Sequence, residues 1–232
     1  MDITPDSHIL FDLGFVKLNA TLVFGWLVMG ICVAGSWLIT RRISPDVSIS
    51  RGQNLLEVLV GAMRSQIREI TQQDADQYLP FVGTLFVYIA VSNVLTIVPF
   101  YEPPTGSLST TGALALCVAV AVPYFGISKQ GLRNYLMEYL QPSPLMLPFN
   151  IIGELSRTLA LVVRLFGNIM SGSMIAMILL LVTPLLVPAV MQVLGLLTGL
   201  VQAYIFAVLA IVYIASATRA HSHRSPEVQG AD

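Results

Sequence analysis

From Leu165 to Thr218 the chain runs for 54 residues without an Asp, Glu, Lys or Arg. A water-facing surface cannot be built from such a run, so the segment must be covered by lipid or by other apolar segments. Three more uncharged stretches precede it, at about 18–40, 79–100 and 108–128. Each is long enough to cross roughly 30 Å of hydrocarbon at about 1.5 Å per helical residue. Composition closes the alternative of a soluble domain with an oversized core. Charged residues make up 11% and hydrophobic residues 55% of the chain, against roughly 25% charged in soluble domains.

Prolines punctuate the rest. Pro142, Pro144 and Pro148 break the mixed segment after Arg133, and Pro184 and Pro188 divide the final apolar block into two arms. An interior proline removes a helical hydrogen bond and clashes with the preceding turn. The arms, about 150–182 and 189–218, would each extend roughly 45–50 Å if helical. They are therefore expected to tilt strongly or to project beyond the bilayer. Residues 51–71 differ in kind. Leu55, Leu59, Met63, Ile67 and Ile70 repeat at helical spacing, while Arg51, Glu57, Arg64, Arg68 and Glu69 fill the other face. Such a helix is too charged to span and belongs at the interface. The expected fold is all-α and integral to the membrane: one domain over 1–232, with five spans, one interfacial helix and a final long hairpin.

Basic residues set the expected orientation. Arg41, Arg42, Arg51, Arg64 and Arg68 follow the first span, Lys129 and Arg133 the third, and Arg219 and Arg224 the last, whereas the 101–107 connection has none. That pattern puts the N-terminus outside and the C-terminus in the cytoplasm. The acidic N-terminus lacks the basic start of a secretory signal. A net charge of -1 with no basic run offers nothing to nucleic acid. Cys32 and Cys117, within apolar stretches, are expected as small buried hydrophobes rather than a disulfide or metal ligands. His8, His221 and His223 read as solvated tail residues.

Chemistry concentrates in the hairpin. A charge near mid-membrane costs about 2.5–3.5 kcal/mol on insertion scales and must face protein or a water-filled cavity. Arg164 is such a charge, and a guanidinium keeps it. At about 100° per residue, Asn150, Glu154, Arg157, Leu161, Arg164, Asn168 and Ser171 follow one another along one side of the helix, with Gly172 beside them. Glu154 and Arg157 are close enough to pair. Glu154 is about 15 Å from Arg164 along the axis, and the next acid is Glu227. The arginine thus lacks a carboxylate partner in its own hairpin, so water or another subunit must stabilise it. The second arm carries Gln192, Gly195, Gly199, Gln202 and Phe206. Gly195 and Gly199 form a GxxxG, which permits close backbone approach. Gln202 needs a partner; Arg164, Asn168 or a structural interhelix bond would each serve.

The segment RLFGN, Arg164–Asn168, resembles the a subunit of the F-type ATP synthases, and the resemblance extends to Ser171–Gly172, QAYIF at 202–206, VLAIVYI at 208–214 and PTGSLSTTGALAL at 104–116. It implies a non-catalytic stator subunit of the bacterial plasma membrane, without cofactor or metal. Arg164 would face the ion-binding carboxylates of a rotating c-ring, with Asn168 and Gln202 close to it. Two half-channels would deliver and remove H⁺ or Na⁺, and Glu154, Ser171 and Ser173 join the candidate translocation residues. Gly172, Gly195 and Gly199 would pack toward the ring, and peripheral-stalk b subunits would complete the partners.

The chain departs from the family pattern at several positions. Ser173 and Gly195 stand where many members carry ionisable groups, Ser107 stands at the acidic position of the outer loop, and Asn150 stands where many have an acid. These departures are compatible with the sodium-moving N-type branch. A secondary carrier would need an internal repeat and its own intramembrane site, and neither is visible. A pure scaffold leaves Arg164 without a reason.

Overall fold

A helix that is apolar on every side gains nothing from one preferred face, so it packs wherever backbone shape allows and leaves the remainder to lipid. Five helices of this chain are long and apolar enough to cross a membrane. They appear in a computed structural model that describes residues 9–12, 17–41, 51–98, 101–133, 135, 137, 145–182 and 186–219. A short antiparallel ribbon, β1 (Ile9–Asp12) with β2 (Lys17–Asn19), leads directly into α1 (Ala20–Thr40). The others are α2 (Arg51–Thr71), α3 (Leu79–Val94), α4 (Leu108–Gln130), α5 (Met146–Val182) and α6 (Leu186–Arg219). The charged, amphipathic 51–71 segment is a single helix, as its periodicity predicts.

Boundaries differ from the sequence reading for identifiable reasons. The α-helical part of the second span stops at Val94 and continues as a 3-10 turn over Leu95–Ile97. The two arms begin before the expected Asn150 and Ala189, because Pro148 and Pro188 are the third residues of α5 and α6. A first-turn residue has no intrahelical partner for its N–H, so proline is tolerated there. Pro123 lies inside α4; neighbouring helices can accommodate such a break. Gly131, at φ +80, ends that helix with its N–H donated to the Ile127 carbonyl at 2.8 Å. Pro142, Pro144, Pro184 and the three histidines lie outside the described residues.

The core is organised around α6. Ala203, Phe206, Ala210 and Ile214 are wholly buried, against Val82 and Ile89 of α3, Ala115 and Val118 of α4, and Leu161 and Leu165 of α5. Alanines on the inward face of α6 let three neighbours approach closely, the packing device of membrane helices. Outward faces are apolar as well: Trp26, Trp37, Ile151, Leu159, Val163 and Leu181 are exposed. Such an outer surface suits hydrocarbon and not water. The two cysteines belong to those outer parts, Cys32 half-buried and Cys117 exposed. They are not the buried hydrophobes expected, because none of the described helices covers them.

The ends of the bundle differ. At one end, Lys129 Nζ donates to Gln73 Oε1 at 2.9 Å and Gln130 Nε2 to the Ala217 carbonyl at 3.1 Å. These bonds join the α2–α3 connection to the ends of α4 and α6. Tyr204 Oη donates to Gln66 Oε1 at 3.2 Å, fastening α2 to α6. The other end is closed by a buried 3-10 turn, Pro104–Gly106, whose Pro104 lies against Gly25 of α1.

Candidate functional site

Arg164 is the central residue of α5, about 27 Å from either end of the helix. Leu161 and Leu165 turn into the core, 2% and 0% exposed. Arg164 points the other way and is exposed on this chain. Among the described residues nothing forms a hydrogen bond or ion pair with it; the ion pair there is the exposed Arg64–Asp76 contact at 2.6 Å. The guanidinium is thus carried outward from the middle of a long helix.

The other candidates divide between the open face and the interior. Ser171 and Ser173 are exposed, and their hydroxyls donate back to the Asn168 carbonyl at 3.2 Å and the Met170 carbonyl at 2.9 Å. Their oxygens, rather than their protons, therefore remain available. Gly172 and Gly195 are open, with no atom within 4 Å of where a Cβ would stand. Gly199 is a correction. It faces inward, and a Cβ there would come within 2.9 Å of Asn93 Cβ, so its close approach is to α3 of the same chain rather than to a ring.

Asn168 reaches across the hairpin, donating from Nδ2 to the Thr198 carbonyl at 3.5 Å. Of the partners open to Gln202, neither Arg164 nor Asn168 is bonded to it. Gln202 is 6% exposed and its Nε2 is buried without a partner. Glu154 and Arg157 line a small cleft with Thr158 and Tyr213 against α4. Arg157 does not turn to Glu154: its guanidinium lies over the Tyr213 ring, 5.6 Å from the centroid. An aromatic face next to a cation offers about 0.5–1 kcal/mol or more when desolvated, which competes well with an i,i+3 pair.

A second polar group, not anticipated from the hairpin, sits where α3 meets α6. Asn93, 3% exposed, donates from Nδ2 to the Gly199 carbonyl at 2.7 Å and accepts from Thr105 Oγ1 at 3.2 Å. Thr96 donates to the Asn93 carbonyl at 2.6 Å, and Gln192 Nε2 donates to the Thr96 carbonyl at 2.6 Å. Ser92, Thr105, Ser107 and Thr111 are buried beside this group. The signal was present: Ser92-Asn93 is a polar pair inside an apolar span, and intramembrane polar residues mark pathways by default.

A bundle of long apolar helices with an exposed guanidinium at the centre of one of them defines a multi-pass membrane protein. The family model described as ATP synthase A chain matches residues 22–215, and the chain belongs to that family. It is 62% identical over 223 residues to ATP synthase subunit a 2 of Acaryochloris marina, covering 96% of this chain and 95% of the relative. It is 58% identical over 219 residues to ATP synthase subunit a 1 of Chlorobaculum parvum, covering 94% and 97%. Against ATP synthase subunit a of Albidiferax ferrireducens the identity is 59% over 219 residues, covering 94% and 95%.

Proposed function

We propose that this chain is the non-catalytic a subunit of a rotary ATP synthase in the bacterial plasma membrane. It would provide two ion half-channels and, through Arg164, the fixed charge that faces the c-ring carboxylates. The observation that carries this reading is a guanidinium at the middle of a long apolar helix, exposed and without a partner among the described residues. A permanent positive charge favours the ionised form of a facing carboxylate. A ring site arriving at Arg164 would therefore release its bound cation and could not carry it straight past. Rotation the long way round would then couple H⁺ or Na⁺ movement to ATP synthesis or hydrolysis. Peripheral-stalk b subunits would hold the chain against the ring, with its N-terminus outside and its C-terminus cytoplasmic.

Glu154, Asn168, Ser171, Ser173 and Gln202 would serve the ion path, and Gly172 and Gly195 would let the ring approach. In reconstituted complex, Arg164→Ala should abolish ATP-driven ion transport while the ATPase activity of the soluble sector remains measurable. Normal coupled pumping by that variant would remove the reading. Stimulation of ATPase activity by Na⁺ would identify the ion as sodium, and its absence would favour protons.

A further inference from the structure

Two asparagines from different helices meet α6 at one level. Asn93 of α3 donates from Nδ2 to the Gly199 carbonyl at 2.7 Å, and Asn168 of α5 donates from Nδ2 to the Thr198 carbonyl at 3.5 Å. Successive residues of an α-helix differ by about 100° and about 1.5 Å along the axis, so α6 is gripped from two sides at nearly the same height. A carbonyl has two lone pairs, one for its own helix and one for the asparagine. By the regular i→i−4 pattern, the Thr198 carbonyl also receives the backbone N–H of Gln202.

The two contacts are unequal. The Asn93 bond is short and its side chain is buried, and its Oδ1 is tied in turn by Thr105 Oγ1 at 3.2 Å. Thr105 belongs to the buried 3-10 turn Pro104–Gly106. The Asn168 bond is exposed, and its 3.5 Å lies beyond the usual range of about 2.7–3.2 Å. The strong contact therefore sets where α6 stands, and the weak one follows. Gly199 admits this arrangement, since a Cβ there would come within 2.9 Å of Asn93 Cβ. A second bond repeats the grip two turns away: Gln192 Nε2 donates to the Thr96 carbonyl at 2.6 Å. Gln192 and Gly199 lie on nearly the same side of α6. Contacts with the α3 segment at two levels fix both the height and the tilt of α6. On α5, Asn168 stands just over one turn from Arg164 and on the same side. What sets Asn168 against α6 also sets the stretch that carries the guanidinium.

We propose that Asn93 is a positioning residue for ion transport: through the Gly199 carbonyl it fixes the level of α6 at which Asn168 meets Thr198, and thereby the place of Arg164 on the outer face. The proposal rests on Arg164 being the fixed charge of the stator subunit. Both ends of the Asn93 amide are engaged inside the chain, which suits a clasp. Misplacing a reacting group by about 1 Å can cost about a hundredfold in rate. An arginine off its station lets a ring site pass still loaded, so the fault to expect is slip, with ATP hydrolysed and fewer ions moved.

The readouts are ions moved per ATP hydrolysed by whole complex in vesicles and the amount of complex assembled. Asn93→Leu keeps the branched outline and removes the donor; it should lower ions moved per ATP roughly twofold or more. Ile89→Ala, a core truncation on the same helix that breaks no side-chain hydrogen bond, should reduce the amount assembled and leave that ratio parental. Asn168→Ala should slip as Asn93→Leu does. The double variant should be no worse than the poorer single, as expected when two residues act through one contact. A parental ratio in Asn93→Leu would overturn the proposal, as would equal slip in Ile89→Ala or losses that multiply in the double variant. Should Asn93→Leu fail to assemble, Gln192→Leu removes the second bond to the α3 segment from an exposed position and is read against the same outcomes. Arg164→Ala runs in parallel. If it abolishes coupled transport while Asn93→Leu keeps the parental ratio, the clasp falls and the subunit assignment stands; if it pumps normally, the assignment itself fails.

Discussion

At the scale of single residues, charge and burial are decoupled in this chain. Arg164 carries the charge and is exposed, while Gln202, formally neutral, is buried with its Nε2 unsatisfied. A buried donor without a partner costs about 1–3 kcal/mol, so the fold does not gain from that amide. A purely structural glutamine would be bonded. Replacing it with methionine, similar in length and without polar hydrogens, should leave chain stability unchanged or raise it by about 1 kcal/mol. Ion transport by the assembled complex should nevertheless fall. The comparison is between the unfolding midpoint of the purified chain and ATP-driven uptake by the complex. Lower stability with normal transport would make Gln202 a packing residue.

At the scale of elements, the two glycines of the α6 GxxxG serve different neighbours. Gly199 is pressed on Asn93 of α3, and Gly195 meets nothing. A methyl group added at 199 must displace Asn93 or the helices, and overpacking of that kind costs about 1–3 kcal/mol. Gly199→Ala should lower the unfolding midpoint of the chain by itself. Gly195→Ala should be neutral or stabilising there, since alanine is the better helix former by about 1 kcal/mol. If Gly195 lies under a ring, its alanine variant should show its defect only in assembled complex, as slowed rotation-coupled transport. A matching loss of stability in both variants would contradict this division. The amphipathic α2 is likewise only partly used: Ile67 is buried against the bundle, and Leu55 and Val58 remain exposed.

At the scale of the whole molecule, the two ends differ in chemistry. One end has the basic residues Arg64, Arg68 and Lys129, and the other has the uncharged hydroxyl-rich turn and Glu102. Positive loops remain on the cytoplasmic side, so the α3–α4 end should be external. With Cys32→Ala and Cys117→Ala as background, a cysteine at Asp2 should react with a membrane-impermeant maleimide added outside intact cells. A cysteine at Asp232 should react only after the membrane is opened. The reverse pattern would overturn the proposed orientation.

The sequence by itself determined the class of fold, the number of long apolar helices, the amphipathic helix over 51–71 and the place of Arg164 at the middle of one apolar helix. Those follow from hydropathy over lengths of about 20 residues, from period and from the cost of a lone charge, and each is local to one segment. It did not determine who pairs with whom. Arg157 turns to Tyr213 rather than Glu154, Gly199 serves α3 rather than an outside partner, and Asn168 rather than Gln202 bridges the hairpin. Each of those choices is decided by the distance to a partner far away in sequence. Only the packed helices set such distances. Tertiary structure also revealed the polar group around Asn93, because its partners Thr105 and Gly199 come from a distant turn and a distant helix.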